Sequence, residues 1–261
     1  MLDIMMATFN RCPLTQETLN SLLETTSQPF NLIIVENGST DDTLSFLENF
    51  LNKNHIKIKS SVVIKNKYNL GIATARNQCL AASKSEWLCT LDNDVKLPDN
   101  WDVQCIEILK SNKNYGAIGV NFENISYPTA GNNIKFQSKP RGNLGTACMV
   151  FPRSLFKMIG YFNSIDYSPS YGLEDSDYGA RIRALGLQLG YLLEPGTHLG
   201  VGQQDQGEYR SFKTKEHDQY VNKFNENYRL YFSKKKSIYF KWDPPKFEQI
   251  NEVLEELSKI K

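Results

Sequence analysis

The chain has 261 residues, 40% of them hydrophobic and 23% charged, with a formal net charge of +1; it can bury a full core without staples and has no global field for nucleic acid or an anionic membrane. Five cysteines without a CxxC pair, and only three histidines, argue against a disulfide scaffold and a structural zinc site and point to a reducing compartment. No apolar run reaches the ~20 residues of a membrane span, and the N-terminus lacks the order of a secretory signal.

The first half alternates. "DIMMATF" predicts a strand. "PLTQETLNSLLETT" predicts a helix with Pro13 at its start and Leu19, Leu22 and Leu23 on one face. "NLIIVE" is a short continuous apolar run, the pattern of a strand buried on both faces. "GSTDDTLSFLENFLNK" opens with capping residues and repeats Leu44, Leu47 and Leu51 at helical spacing. "SSVVIK" predicts a third strand, "NLGIATARNQCLAASK" a third helix rich in small residues, and "EWLCTL" a fourth strand that ends in "DNDV". Such alternation implies a mostly parallel sheet with helices on both faces, which takes ligands beyond the carboxyl ends of its strands. Further along, "AIGVNFENI", "LGTACMVF" and "LQLGYLL" predict strands. "RSLFKMIG" and "EDSDYGARIRALG" predict helices that stop at Gly160 and Gly186. Residues 203–261 are polar, aromatic and lysine-rich, and end in the amphipathic "FEQINEVLEELSKIK".

Asp92 and Asp94 therefore fall where this architecture binds ligands. Two hard oxygen donors in a turn suit Mg²⁺ or Mn²⁺ completed by substrate phosphates; alone, they more often mark a solvated turn. Three neighbours lie on the same edge. Glu36 ends the second strand, and its carboxylate can accept N–H groups from a nucleobase. Gly71 lets the backbone turn close to a ligand. Arg76, next to Asn77, offers a guanidinium to phosphate.

"ATFNR", "VENGSTDDT", "NLGIATARN" and "LDNDV", followed by "GTACMVFPRSLFKMIGYFN", "YGLEDSDYGARIRALG" and "THLG", resemble in order and spacing the family 2 glycosyltransferases of GT-A fold, over roughly residues 2–200. The resemblance implies a GT-A domain over 1–202, with a nucleotide-sugar half (1–95) and an acceptor half (96–202). A helical extension (203–261) would pack on the same domain. It implies that Thr8, Phe9, Asn10, Arg11, Glu36, Asn69, Gly71, Arg76, Asp92 and Asn93 bind the nucleotide. Glu36 departs from the Asp of many members and leaves uracil or guanine open. Asp94, Asp92 and a late histidine, His198, would hold Mn²⁺ or Mg²⁺. Asp175 would be the base that activates an acceptor hydroxyl, with Glu174 its partner; Asp177 stays open as an alternative. Gly145 and Thr146 would border the acceptor and sugar.

The implied activity is transfer of a sugar, with inversion, from a UDP- or GDP-sugar, UDP favoured, to a glycan, glycolipid or other hydroxyl acceptor in polysaccharide or glycoconjugate synthesis. A retaining transferase, a non-catalytic nucleotide- or glycan-binding module, and a haloacid-dehalogenase-like phosphatase using "LDNDV" are the alternatives. The phosphatase motif belongs after a first strand, and here about ninety residues precede it. The expected location is cytoplasmic. "YFSKKKSIYFKW" offers a peripheral membrane contact or a solvated basic helix end, and the last helix could pack on the domain or on a second copy in a homodimer.

Overall fold

The computed structural model describes residues 1–53, 55–122, 129–130, 136–139, 144–167, 172–200 and 208–244. Its elements are β1 (Leu2–Thr8), α1 (Cys12–Thr25), β2 (Phe30–Glu36), α2 (Thr43–Leu51), β3 (Ile58–Lys65), α3 (Ile72–Ala82), β4 (Trp87–Leu91), β5 (Val95–Lys96), α4 (Trp101–Ser111) and β6 (Tyr115–Asn121). The chain continues through β7 (Thr129–Ala130), β8 (Phe136–Lys139), β9 (Cys148–Pro152), α5 (Arg153–Ile159), α6 (Glu174–Ala184), β10 (Gln188–Pro195), β11 (Thr197–His198) and α7 (Glu208–Phe232).

Nine strands form one sheet in the order β3-β2-β1-β4-β9-β6-β10-β8-β7. The first four are mutually parallel, β6 and β10 are parallel to each other, and β9 and β8 run against their neighbours. The fold is α/β with a mostly parallel central sheet. The period-2 alternation of each strand sorts its side chains between two cores. Leu32 and Ile34 of β2 join Leu19 and Leu22 of α1, Leu47 of α2 and Trp101 of α4 on one face. Ile33 and Val35 join Ala75 and Leu80 of α3, Leu155 of α5 and Ile182 of α6 on the other. That is why "NLIIVE" is apolar throughout. β3, at the sheet edge, has mostly exposed or half-buried residues.

Because β1, β2 and β4 are parallel, Thr8, Glu36 and Leu91 end on one edge. β5 and β11 form a separate antiparallel ribbon that sets His198 opposite Val95. The segment after α7 returns to the domain: Phe240 N–H donates to Ile159 O, and Tyr161 N–H donates to Phe240 O. Gly160 ends α5 at φ +72°, and a Cβ there would collide with the Phe240 carbonyl oxygen. Gly160→Ala is therefore expected to cost at least about 2 kcal/mol in urea unfolding, from left-handed backbone strain plus this clash. The amphipathic segment 247–261 and the "ENI" end of the predicted strand at 117–125 lie outside the described residues. No described helix is long and apolar enough to cross a membrane.

Candidate functional site

β4 is buried along its whole length and breaks into a turn at 92–94. Two bonds pin that turn: Asp92 N–H donates to Ala147 O (2.9 Å) and Val95 N–H to the Thr18 hydroxyl of α1 (3.0 Å). The Asp94 carboxylate is buried to 8% exposure. Its Oδ2 accepts from Arg11 Nη1 at 3.0 Å, and its Oδ1 lies 3.7 Å from His198 Nε2. The β5–β11 ribbon and a 2.7 Å bond from Leu199 N–H to Asp94 O fix this proximity. His198 Nδ1 is buried without a partner. A Cβ on Gly200 would stand 2.8 Å from Asp94 Oδ2, so a side chain there would crowd the carboxylate.

The two aspartates of the turn have different partners. Asp92 instead accepts from Arg76 Nη2 at 2.8 Å, while Nη1 of the same guanidinium donates to Glu174 Oε1 at 2.8 Å. Arg76, on α3, thus joins the strand edge to the N-terminus of α6. Asp175, the next residue, is half-buried and within the electrostatic reach of Arg76 without bonding to it. Burial, reinforced by the Asp175 charge and opposed by Arg76, pushes Glu174 up to about 8. Burial likewise raises Asp175, with Arg76 holding it back. Glu174 Oε2 is buried with no partner; a proton on that oxygen would make it a donor toward whatever enters the site.

Asp177 has a different setting. It is fully buried, pairs with Arg181 at 2.8 Å, and accepts from the hydroxyls of Tyr167 (3.0 Å) and Tyr231 (2.8 Å). No surface remains for an acceptor, which removes Asp177 as a base.

The remaining predicted residues build the loops at the ends of β1 and β2. Asn10 and Arg11 both have left-handed backbones (φ 55° and 64°). The loop is stapled to residues 39–41: Asn10 N–H donates to Ser39 Oγ, Thr40 N–H to Asn10 Oδ1, and Cys12 N–H to Asp41 Oδ2. Ser39, Thr40 and Asp41 therefore form these staples, and α2 starts without a side-chain cap bond from Asp42. Glu36 is buried, and its Oε1 accepts from Ser39 N–H at 2.6 Å. Phe9 is 40% exposed, leaving a ring face open at this edge. Thr8 faces Thr15, and Asn93 donates to both hydroxyls. Gly145 has open space where a Cβ would be, and Thr146 beside it is buried.

Asn37 went unnoticed in the sequence behind Glu36. It is buried and ties its own loop to the β3–α3 loop: its amide donates to Asn69 Oδ1 (2.7 Å), and its Oδ1 accepts from Asn66 Nδ2 (2.9 Å) and Leu70 N–H (3.0 Å). Asn69 in turn accepts from Gly71 N–H, the residue that opens α3 at φ +81°. The Asn-rich spacing around 66–69 was the available signal; its partner could not be read from it.

Among the described residues no three His, Cys, Asp or Glu side chains form a metal-binding cluster. Asp94 and His198 are the two donors at hand, one carboxylate and one imidazole with a free buried nitrogen. This incomplete set fits a divalent cation whose remaining positions are filled by substrate oxygens and water.

Residues 3–157 match Glycosyl transferase family 2. The poly-beta-1,6-N-acetyl-D-glucosamine synthase of Staphylococcus epidermidis is 25% identical over 222 residues, 78% of this chain and 52% of that one; the chain thus spans about half the length of that relative. The Pyrobaculum calidifontis mannosyltransferase PcManGT, solved with GDP-Man and Mn²⁺, superposes with TM-score 0.63 at 17% identity, covering 98% of this chain and 70% of that one. TarS residues 1–349 from S. aureus, solved with UDP, gives TM-score 0.56 at 17% identity over 75% of this chain and 59% of that one. These likenesses give the GT-A fold and displace the phosphatase alternative, and the match over more than half of the sequence means that the chain belongs to glycosyl transferase family 2.

Proposed function

We propose that this glycosyltransferase is metal-dependent and moves a sugar, with inversion, from a UDP-sugar to an acceptor hydroxyl in polysaccharide or glycoconjugate synthesis. The observation that carries the reading is the Arg76 bridge. It holds the acid-x-acid turn and the Glu174–Asp175 pair at one point on the sheet edge, although they are 82 residues apart from Asp92 to Glu174. Residues 1–95 would hold the donor, 96–202 the acceptor, and 203–261 would brace the second half.

Phe9 offers a face for the base, and Glu36 accepts from its edge. One Glu36 oxygen already serves Ser39, which suits the single N3–H of uracil better than the two adjacent donors of guanine. Asp94 and His198, with Asp92, would hold Mn²⁺ or Mg²⁺, which when bound supplies positive charge to a leaving diphosphate. Asp175 takes the proton of the attacking hydroxyl. Glu174, protonated at Oε2, orients the acceptor by donating to it. Gly145 leaves room for the sugar. Five thiols outside any disulfide, four of them buried, suit a cytoplasmic setting.

Calorimetry with UDP and GDP, each with Mn²⁺ and with a chelator, tests the donor side. The expected result is UDP binding that needs Mn²⁺ and weakens at least about a hundredfold in Asp92→Ala/Asp94→Ala, since a chelated diphosphate loses most of its countercharge. Equal UDP affinity with metal and with chelator would overturn the metal assignment.

A further inference from the structure

Each carboxylate of the acid-x-acid turn is paired with an arginine, but the two pairs differ. Arg76 is buried and bridges to Glu174. Arg11 is 28% exposed, and its guanidinium donates to Asp94 Oδ2. The arginine comes from the loop after β1, the strand beside β4, 83 residues earlier in the chain. It reaches Asp94 because Asn10 and Arg11 adopt consecutive left-handed backbones, a conformation that non-glycine residues enter at a cost of about 1 kcal/mol or more each. The three staples to Ser39, Thr40 and Asp41 hold it there. The loop is thus built to aim a guanidinium at the one carboxylate that also lies beside His198.

We infer that Arg11 is a positioning residue that occupies Asp94 in place of the divalent cation and yields it only when a diphosphate arrives. The inference rests on the proposed role of Asp94 as a metal ligand. Without substrate, Arg11 is the resident countercharge, and a free cation must break a half-buried ion pair to enter. A nucleoside diphosphate brings negative oxygens that draw the guanidinium off Asp94 and help to ligate the cation. Metal and nucleotide therefore load together, and the protein takes up little metal alone.

The test is binding of Mn²⁺ alone, then of Mn²⁺ with UDP, to the full chain, followed by the loss of the free-Mn²⁺ paramagnetic resonance signal. Wild type should bind Mn²⁺ alone weakly and more tightly with UDP. Arg11→Met should bind Mn²⁺ alone about tenfold more tightly than wild type, the competition expected from a half-buried pair. The same variant should lose most of the enhancement by UDP. Arg11→Lys keeps a charge that can reach Asp94 and should stay near wild type. If Arg11→Met binds Mn²⁺ alone no better than wild type, while wild type still binds Mn²⁺ with UDP, the inference fails and the metal site stands. If wild type binds no Mn²⁺ even with UDP, the metal site itself fails and the inference with it.

Discussion

Asp175→Asn is expected to lower the rate of sugar transfer by about a thousandfold while leaving Mn²⁺-dependent UDP binding within about twofold of wild type. The rate would be read as nucleoside diphosphate released with an acceptor found by screening. The carboxamide nearly matches the carboxylate in shape but cannot take the proton of the attacking hydroxyl, and a positioned base contributes about 10²–10⁴ in rate. The donor side would be unaffected, because the Asp175 carboxylate accepts from Ser176 N–H rather than bonding to the acid-x-acid turn. The pH dependence gives a second reading. A base works deprotonated, so the rate falls as pH drops through its pKa. Burial raises Asp175 above the ordinary carboxylate range, with Arg76 only partly opposing. The acid limb of the wild-type profile should therefore lie above the usual carboxylate range of about 4. A rate unchanged in Asp175→Asn would remove it as base.

Much of the donor half was legible because its signals are local. "DIMMATF", "NLIIVE" and "EWLCTL" state burial residue by residue, and parallel strands between helical stretches put their carboxyl ends on one edge. Glu36, Asp92 and Asp94 could be placed there before any coordinates. The contacts that join these residues were not legible. Arg76 reads locally as a phosphate ligand at a helix start; its two partners lie 16 and 98 residues away. The Arg11–Asp94 pair spans 83 residues, and a single sequence has no signal for such pairing. Glu36 looked free to meet a base because its bond to Ser39 depends on the turn at Gly38, whose φ of +78° brings Ser39 N–H back onto the carboxylate. By resemblance Asp175 is the base and Glu174 its partner, with Asp177 left open because all three begin one helix. Their partners separate them: Glu174 bonds Arg76, whereas Asp177 bonds Arg181, Tyr167 and Tyr231 in the interior.

Asp177→Asn should be the most destabilising of the single substitutions considered, by about 3–5 kcal/mol, and should leave the acceptor side disordered before the donor side. Removing one partner of a buried pair leaves the other charge uncompensated, and that penalty exceeds what the pair itself contributes. Here the stranded group is Arg181, 1% exposed. Its other bonds are to backbone carbonyls of Ile159, Tyr161 and Ile238, which partly solvate a cation but do not neutralise it. Two further bonds would weaken, because Tyr167 and Tyr231 both donate to Asp177 Oδ1. The Asn amide retains one acceptor oxygen, so these hydroxyls keep a weaker partner. Tyr231 lies on α7, and Asn227 one turn earlier donates to Asp166 and Tyr167, while Lys236 pairs with Asp166 at 2.7 Å. The cluster therefore fastens α7, the segment before α6 and the C-terminal end of α5 around the first turn of α6, where Glu174 and Asp175 sit. Urea unfolding measures the loss directly. Hydrogen exchange should show it concentrated in α6 and α7, with β1, β2 and β4 still protected. A loss under about 1 kcal/mol would mean that Arg181 is neutralised by something other than Asp177, and that α7 does not brace the acid pair through this cluster.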